Sequence, residues 1–413
     1  MKKIKKFLLN IAKKHHWFMR LIRVVRSLSY KIRYGIYYLS NNVDENMIVF
    51  EVFAGKKYAD SPKAIYEYML RDINYKDYKY YWFFEDPSKY KFLEKHRNTK
   101  VYKYKSKMYF KLYAKSKYWI TNSTIPEIIR KKPSQRYIQT WHGTPLKRLG
   151  YDILVEGNAM NNLKDIRDKW KKTASLCDYL ISPSKFVSDK YKSAFNLEEI
   201  NKNVKIIEKG YPRNDFLSNY KGTDVNNIKK KLNIPKEKKI ILYAPTWRDN
   251  AHNSEVGYVY ENKLNFDNLR DKLSDEYVIL FRVHYLIANS FNFEKYNGFI
   301  FDVSNYDDIN DLYIISDLLI TDYSSVFFDY SILKRPMIFY MYDLDEYKNN
   351  MRDFYIDLKE LPGKIVEEEE DLVKEIAKTD KFSYSEKYKK FNAKYTYLDD
   401  GNASMRVVKE IFK

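Results

Sequence analysis

Short apolar runs of strand length recur along the first half of the chain: MIVFEVFAG (47–55), YKYYWFF (78–84), KYWITN (117–122), YIQTW (137–141) and YLISPS (179–184). Charged, helically patterned stretches such as 62–72 and 107–116 separate several of them. A second series follows: KIILYAPTW (239–247), YVILFRVHY (277–285), GFIFDVS (298–304), DLLITDYSS (317–325) and PMIFYMYD (336–343). Helical patterns intervene at 263–273, 307–315 and 324–334. Strands alternating with helices predict parallel sheets covered on both faces. A polar stretch near 197–235 divides the two series, so two α/β domains are expected rather than one barrel. No repeat of solenoid period is present. The acidic run that opens EEEEDLVKEI (367–376) reads as surface charge compatible with a helix dipole.

The first 43 residues follow another pattern. Ile4, Phe7, Leu8, Ile11, Phe18, Ile22 and Val25 recur mostly at spacings of three and four, as on an amphipathic helix. No acid precedes Asp44, while this stretch holds eleven Lys and Arg, more than half of the formal net charge of +20. The other 370 residues carry only +9. There is no apolar run of 18 residues and no secretory cleavage pattern, so neither a spanning helix nor an exported leader is expected. A basic amphipathic arm lying on an anionic membrane surface is the expectation. A helix packed on the body of the protein with a solvated charged face has the same spacing.

Composition narrows the rest. With 413 residues and 45% hydrophobic content, two cores are affordable and bulk disorder is excluded. Single Cys177 rules out a disulfide framework and a cysteine-based zinc site. No Walker A run, GxGxxG, HExxH or GxSxG is present, which leaves P-loop, nicotinamide, zinc-protease and nucleophile-elbow chemistry without support.

An open α/β sheet binds ligands beyond the carboxyl ends of its strands, and four loaded segments stand there. In TDYSS, Thr321, Asp322, Ser324 and Ser325 supply capping types ahead of a helical run. Free helix-end amides with serine hydroxyls make a phosphate site, although a plain capped helix reads the same way. In FRVHY, Arg282 and His284 share one side of a strand end by two-residue alternation, and both can bind phosphate oxygens. Thr246 and Arg248 repeat that spacing after another strand. In QTWHGTP, Gly143 permits close approach and Pro145 stiffens the loop, so His142 would be held rather than free. A held histidine suits a general base, and it equally suits a structural loop.

Taken together and in order, QTWHGTPLKRLG (139–150), ISPSKF (181–186), GYPRND (210–215), ILYAPTWRD (241–249), FRVHY (281–285), DLYIISDLLITDYSSVFFDY (311–330), KRPMIFYMYDLDEY (334–347) and DDGNASMRVV (399–408) resemble the CDP-glycerol glycerophosphotransferase family of teichoic-acid synthesis. The resemblance implies a GT-B type α/β fold, two Rossmann-like domains facing across a cleft. The expected layout is a basic amphipathic arm at 1–43, an acceptor domain at 44–205 and a CDP-polyol-binding domain at 206–413. It implies transfer of glycerol phosphate, or a related polyol phosphate, from CDP-glycerol or CDP-ribitol to a hydroxyl of a lipid-linked saccharide or polyol-phosphate acceptor, with CMP released. The pathway implied is teichoic acid or capsule, and the location is the cytoplasmic membrane face, peripherally held.

Carried onto matching positions, His142 activates the acceptor hydroxyl, with Gly143, Thr144 and Lys147 on the acceptor-side loop. His284 and Arg282 bind the donor pyrophosphate, joined by Thr246, Arg248, Thr321, Asp322, Ser324 and Ser325. No metal or other cofactor is implied. Two rival classes remain for comparison. A nucleotide-sugar glycosyltransferase shares the architecture, since fold does not fix function. Nucleic-acid binding would fit the charge, but the basic residues concentrate in one arm and no RRM or KH signature appears, so no nucleic-acid partner is expected.

Overall fold

The computed structural model describes residues 16–154, 162–246, 252–253, 257–258, 263–283, 292–345 and 353–413. The first sheet has seven strands: β1 (Asp44–Glu51), β2 (Lys79–Phe84), β3 (Thr99–Lys103), β4 (Ser116–Thr121), β5 (Arg136–Gln139), β6 (Tyr179–Ser182) and β7 (Lys205–Glu208). Their order is β3-β2-β1-β4-β5-β6-β7, and every pairing is parallel. A two-stranded antiparallel pair, β9 (His252–Asn253) with β10 (Gly257–Tyr258), follows β8 (Lys239–Ala244). The second sheet combines β8 with β11 (Tyr277–Phe281), β12 (Ile300–Asp302), β13 (Leu318–Thr321), β14 (Met337–Tyr340) and β15 (Lys364–Val366). It is also parallel, in the order β12-β11-β8-β13-β14-β15. Both orders contain the 3-2-1-4-5-6 pattern of doubly wound sheets, which reverse direction between their first and fourth strands.

The strands are apolar on both sides because helices cover both faces. In β1, Val49 joins a core with Phe83, Trp119 and Tyr137, while Ile48 and Phe50 join Trp82, Ile120 and Ile138 on the opposite face. The second sheet repeats this: Leu242 and Leu319 face one core, Ile241 and Ile320 the other. Most predicted elements appear with trimmed ends, and 324–334 departs most. That run is α-helical only over Val326–Tyr330 and ends as a 3-10 turn, Ser331–Leu333. A helix of five residues has little macrodipole, which weakens the expected electrostatic contribution at TDYSS.

The chain finally returns to the first domain. The helix Ala403–Ile411 places Val407, Val408 and Ile411 against the Ile48/Trp82 face of the first sheet. The crossover GYPRND runs beside this return. Gly210 has φ +92, and a Cβ there would stand 2.5 Å from the Leu398 carbonyl oxygen, so only glycine fits.

Helix α1 (His16–Ser40), within the expected arm, packs on the first-domain core through Tyr30, Tyr34, Tyr37 and Tyr38. Tyr34 is buried among Phe110 and its neighbours, and its hydroxyl donates to the Arg130 carbonyl. Leu21, Val25, Leu28, Ile32, Ile36 and Leu39 point outward and are exposed. Residues 1–15 of the expected arm lie outside the described residues.

Glu51, at the carboxyl end of β1, is fully buried, and the hydroxyls of Tyr109 and Tyr113 both donate to its Oε2 at 2.9 Å. Burial pushes its carboxyl up to about 7 against those two bonds. The unfolded glutamate releases its proton near 4.5, so between these values the folded state holds the extra proton. Stability from this group therefore falls as pH rises from 4.5 to 7 and then levels off, by on the order of 3 kcal/mol. Glu51→Gln is expected to remove that slope, leaving the variant relatively more stable above pH 7. Urea unfolding at pH 5 and pH 8 measures this, and parallel curves for both proteins would refute it.

Candidate active site

The carboxyl ends of the two sheets face each other across a cavity of about 480 Å³. From the first domain it is lined by Lys57 and Asp60 beyond β1 and by the loop His142–Lys147 beyond β5. The second domain contributes Thr246 beyond β8, Arg282 beyond β11 and Ser324 and Ser325 beyond β13. Cross-domain approach is close: a Cβ on Gly143 would lie 3.3 Å from Ser325 Oγ and 3.5 Å from Arg213 Nη2.

His142 opens onto the cleft yet is hemmed in by protein. Its ring stacks on Trp141 at 4.5 Å between centroids and meets Phe53 edge-on at 5.7 Å. Nδ1 lies 2.8 Å from the Asn122 carbonyl oxygen. A carbonyl only accepts, so Nδ1 carries the proton and Nε2 is the basic nitrogen. The surrounding protein lowers the pKa below the usual histidine value; the Asn122 bond and Asp60 raise it, and Arg213 lowers it further. That direction favours the neutral ring. Trp141 just before it has φ 54, an unfavourable backbone state for a bulky residue, secured by its N–H donating to Gln139 Oε1 at 2.9 Å.

Below this loop lies Arg213, buried and multiply bonded. Nη1 donates to the His142 carbonyl at 2.6 Å and lies 3.5 Å from Asp60 Oδ1. Nη2 donates to Asp329 Oδ2 at 2.5 Å. Asn214 donates to both Asp329 and Asp399 at 3.1 Å, and Asn310 donates to the Arg213 carbonyl at 2.6 Å. Tyr211 donates from its hydroxyl to the Gly143 carbonyl at 3.1 Å. The guanidinium thus joins the His142 loop of one domain to the Ser325–Asp329 segment of the other.

Two further latches close the sides. Lys57 Nζ donates to the carbonyls of Asn305 and Tyr306, and burial lowers its pKa to about 8, with Arg282 adding to the effect and Asp307 opposing it. Lys63 pairs with Asp308 at 2.7 Å. On the other side, Arg148 donates from its amide and Nε to Asp353, the Tyr355 amide donates to the Leu146 carbonyl, and the Leu149 amide donates to the Tyr355 hydroxyl.

The structure sorts the expected residues. His142, Gly143, Thr144, Lys147, Thr246, Arg282, Ser324 and Ser325 share the cavity. Arg282 gives Nη1 to the carbonyls of Val303 and Tyr306, both at 3.0 Å. Thr321 and Asp322, expected in the phosphate site, are not among the residues lining this cavity and bond to neighbouring loops. The Thr321 hydroxyl donates to the Ala244 carbonyl at 2.7 Å, and Asp322 Oδ1 accepts from the Thr246 and Tyr323 amides. Arg248 and His284 lie outside the described residues. Sequence reasoning gave no role to Asp60, Asn122, Arg213 or Asp329. Asp60 opens DSP, which reads as an ordinary helix start, while Arg213 and Asp329 sit unremarked inside GYPRND and VFFDY.

Residues 33–413 match the family described as CDP-Glycerol:Poly(glycerophosphate) glycerophosphotransferase. A teichoic acid glycerol-phosphate transferase of Staphylococcus aureus is 41% identical over 380 residues, covering 91% of this chain and 95% of the relative. A teichoic acid poly(glycerol phosphate) polymerase of Staphylococcus epidermidis is 43% identical over 372 residues, covering 89% of this chain. The chain spans only 50% of that polymerase's length. A variant of the wall teichoic acid polymerase TagF, soaked with CDPG, superposes with a TM-score of 0.83 at 40% identity, covering 96% of this chain and 97% of that one. The GT-B arrangement expected from the sequence is the one observed.

Proposed function

The chain belongs to the CDP-Glycerol:Poly(glycerophosphate) glycerophosphotransferase family, and from that premise we propose that it transfers glycerol phosphate from CDP-glycerol to a hydroxyl on a membrane-held acceptor. The observation that carries this reading is the placement of His142, with its Nδ1 on the Asn122 carbonyl and its ring opening onto the cleft across from Ser325. In the proposed step the acceptor oxygen forms a bond to the phosphorus that bears glycerol. The bond from that phosphorus to the bridging oxygen breaks, and CMP departs with the electron pair. His142 Nε2 takes the acceptor proton.

Such a transfer depends on positioning and on stabilising charge where it develops. Arg282 and the hydroxyls of Ser324 and Ser325 are the described groups suited to the donor phosphates, and Thr246 stands beside them. His284 and Arg248 are assigned to the same half by the family resemblance alone. A CDP-glycerol donor is favoured by the relatives, which are glycerol-phosphate enzymes, and by the CDPG soak of the related polymerase.

The acceptor is proposed to be lipid-linked because helix α1 offers a surface for a membrane. No helix among the described residues is long and apolar enough to cross one. Instead, α1 turns an exposed aliphatic row outward while Tyr34 anchors it inside. A row of this kind beside basic residues suits the interface of an anionic leaflet, which supports the proposed peripheral location on the cytoplasmic face.

His142→Ala is expected to lose turnover by about 10²- to 10⁴-fold while binding CDP-glycerol normally in calorimetry. In the unaltered enzyme, kcat/KM should rise with pH through a pKa below 6.5, as the imidazole loses its proton. Near wild-type CMP release by folded His142→Ala would sink the base assignment. Separately, Leu28→Asp combined with Ile32→Asp and Ile36→Asp should reduce recovery with anionic liposomes and leave the melting temperature unchanged, since all three side chains are exposed. Undiminished flotation would show that α1 is not the anchor.

A further inference from the structure

Around His142 hydrogen bonds and one ion pair form a closed circuit, and both arms of it meet at one carboxylate. Asp60 Oδ2 accepts from Asn122 Nδ2 at 2.7 Å, and the carbonyl of that same Asn122 holds His142 Nδ1 at 2.8 Å. Asp60 Oδ1 lies 3.5 Å from Arg213 Nη1, the nitrogen that donates to the His142 carbonyl at 2.6 Å. One arm thus fixes the ring and the other fixes the main chain of the same residue.

We propose that Asp60 is a positioning residue for the base, acting on the His142 ring through Asn122 and on its backbone through Arg213. The inference rests on the reading of His142 as the base. Three features of the site argue that Asp60 does more than begin a helix. It is buried, with 5% of its side chain exposed, so its charge acts without a water shell. Its backbone has φ 64, the left-handed state in which Asp and Asn are the best-tolerated residues after glycine. That conformation lets Oδ1 accept from the Ser61 amide at 2.6 Å while Oδ2 turns to Asn122. Asn122 is itself clamped, because its Oδ1 accepts from the Phe53 amide at 2.9 Å. The carbonyl offered to His142 therefore has no freedom to swing.

A base displaced by about 1 Å loses on the order of 10² in rate, so this clamp bears directly on turnover. It also sets the charge around the ring. Burial lowers the imidazolium pKa most; Asp60 raises it and Arg213 lowers it, in opposition. Lys56, Lys57, Lys147, Arg282, Asp307 and Asp308 line the same cavity, and Asp329 faces Arg213. All of these stay in place when Asp60 alone is altered.

The test compares full-length Asp60→Asn and Arg213→Met with the unaltered enzyme, following CMP release from CDP-glycerol onto a synthetic glycerol-phosphate acceptor lipid. Asparagine keeps the shape and tolerates the backbone angle. Asp60→Asn is expected to lower kcat about tenfold to a hundredfold, to leave the KM for CDP-glycerol near its original value, and to move the acid limb of the pH profile downward. Arg213→Met should move that limb upward. A merely structural role would not displace the two limbs in opposite directions. If Arg213→Met does not fold, Asp60→Asn decides alone. Original kcat with an unmoved acid limb in folded Asp60→Asn overturns the proposal, as does a loss of kcat with no displacement. Should His142→Ala stay active, the base reading itself fails. An inactive His142→Ala with an unaffected Asp60→Asn removes only the role of Asp60.

Discussion

A guanidinium buried between two domains is the constraint on which the rest of this structure depends. Arg213 has no water to solvate its charge, and a buried ion left unpaired costs roughly 3–5 kcal/mol. Its partners come from three places in the chain: Asp60, the His142 carbonyl and Asp329. Asp60 and His142 belong to the first domain and Asp329 to the second. Satisfying one side chain therefore fixes the separation of the sheets at their carboxyl ends. Surrounding carboxylates must not overcompensate. Burial pushes Asp399 up to about 8, so it keeps its proton at neutral pH and adds no third negative charge to the cluster.

That anchor explains how an unfavourable backbone survives. Phe53, Ala54, Asp60 and Trp141 all have positive φ, and they gather at strand ends on the first-domain side of the cleft. Each non-glycine residue in that region costs roughly 1–2 kcal/mol. The cost is offset by bonds at the same strand ends: Phe53 to Asn122 and Trp141 to Gln139 within the first domain, and the His142 carbonyl to Arg213. Strain and site share residues because a loop that turns sharply enough to present His142 cannot be an unstrained one.

The same facts separate what the chain reveals in linear form from what it conceals. Parallel strands are legible because burial on both faces leaves continuous apolar runs, and strand ends then point to the loops worth inspecting. His142, Arg282 and Ser325, singled out by that route, line one cavity. Arg213 was not singled out, since its partners lie 153, 71 and 116 positions away and no local spacing encodes them. Thr321 and Asp322 show the converse ambiguity. Capping residue types beside a strand end look the same whether they face a ligand or tie β13 to the loop after β8. Burial decides between these uses, and burial is a property of the fold.

Helix α1 shows why an amphipathic pattern alone was ambiguous. Two descriptions fitted it, a helix on a membrane and a helix on the protein body, and the structure has room for both. Aromatic residues make the inward contact: Tyr34 is buried, and Tyr30, Tyr37 and Tyr38 pack around it against Phe110 and Trp119. Aliphatic residues form the outward row, where they remain in water. Tyrosine can bury its ring and still satisfy its hydroxyl, as Tyr34 does on Arg130, whereas leucine and isoleucine gain only by leaving water. The division of residue types follows that difference, and it sets the outward face apart as a surface awaiting an apolar partner. In the proposed membrane-bound state a lipid leaflet would supply one along the row, and the first domain would then hold the cleft at a fixed attitude to it, because Tyr34 of the same helix is built into the core.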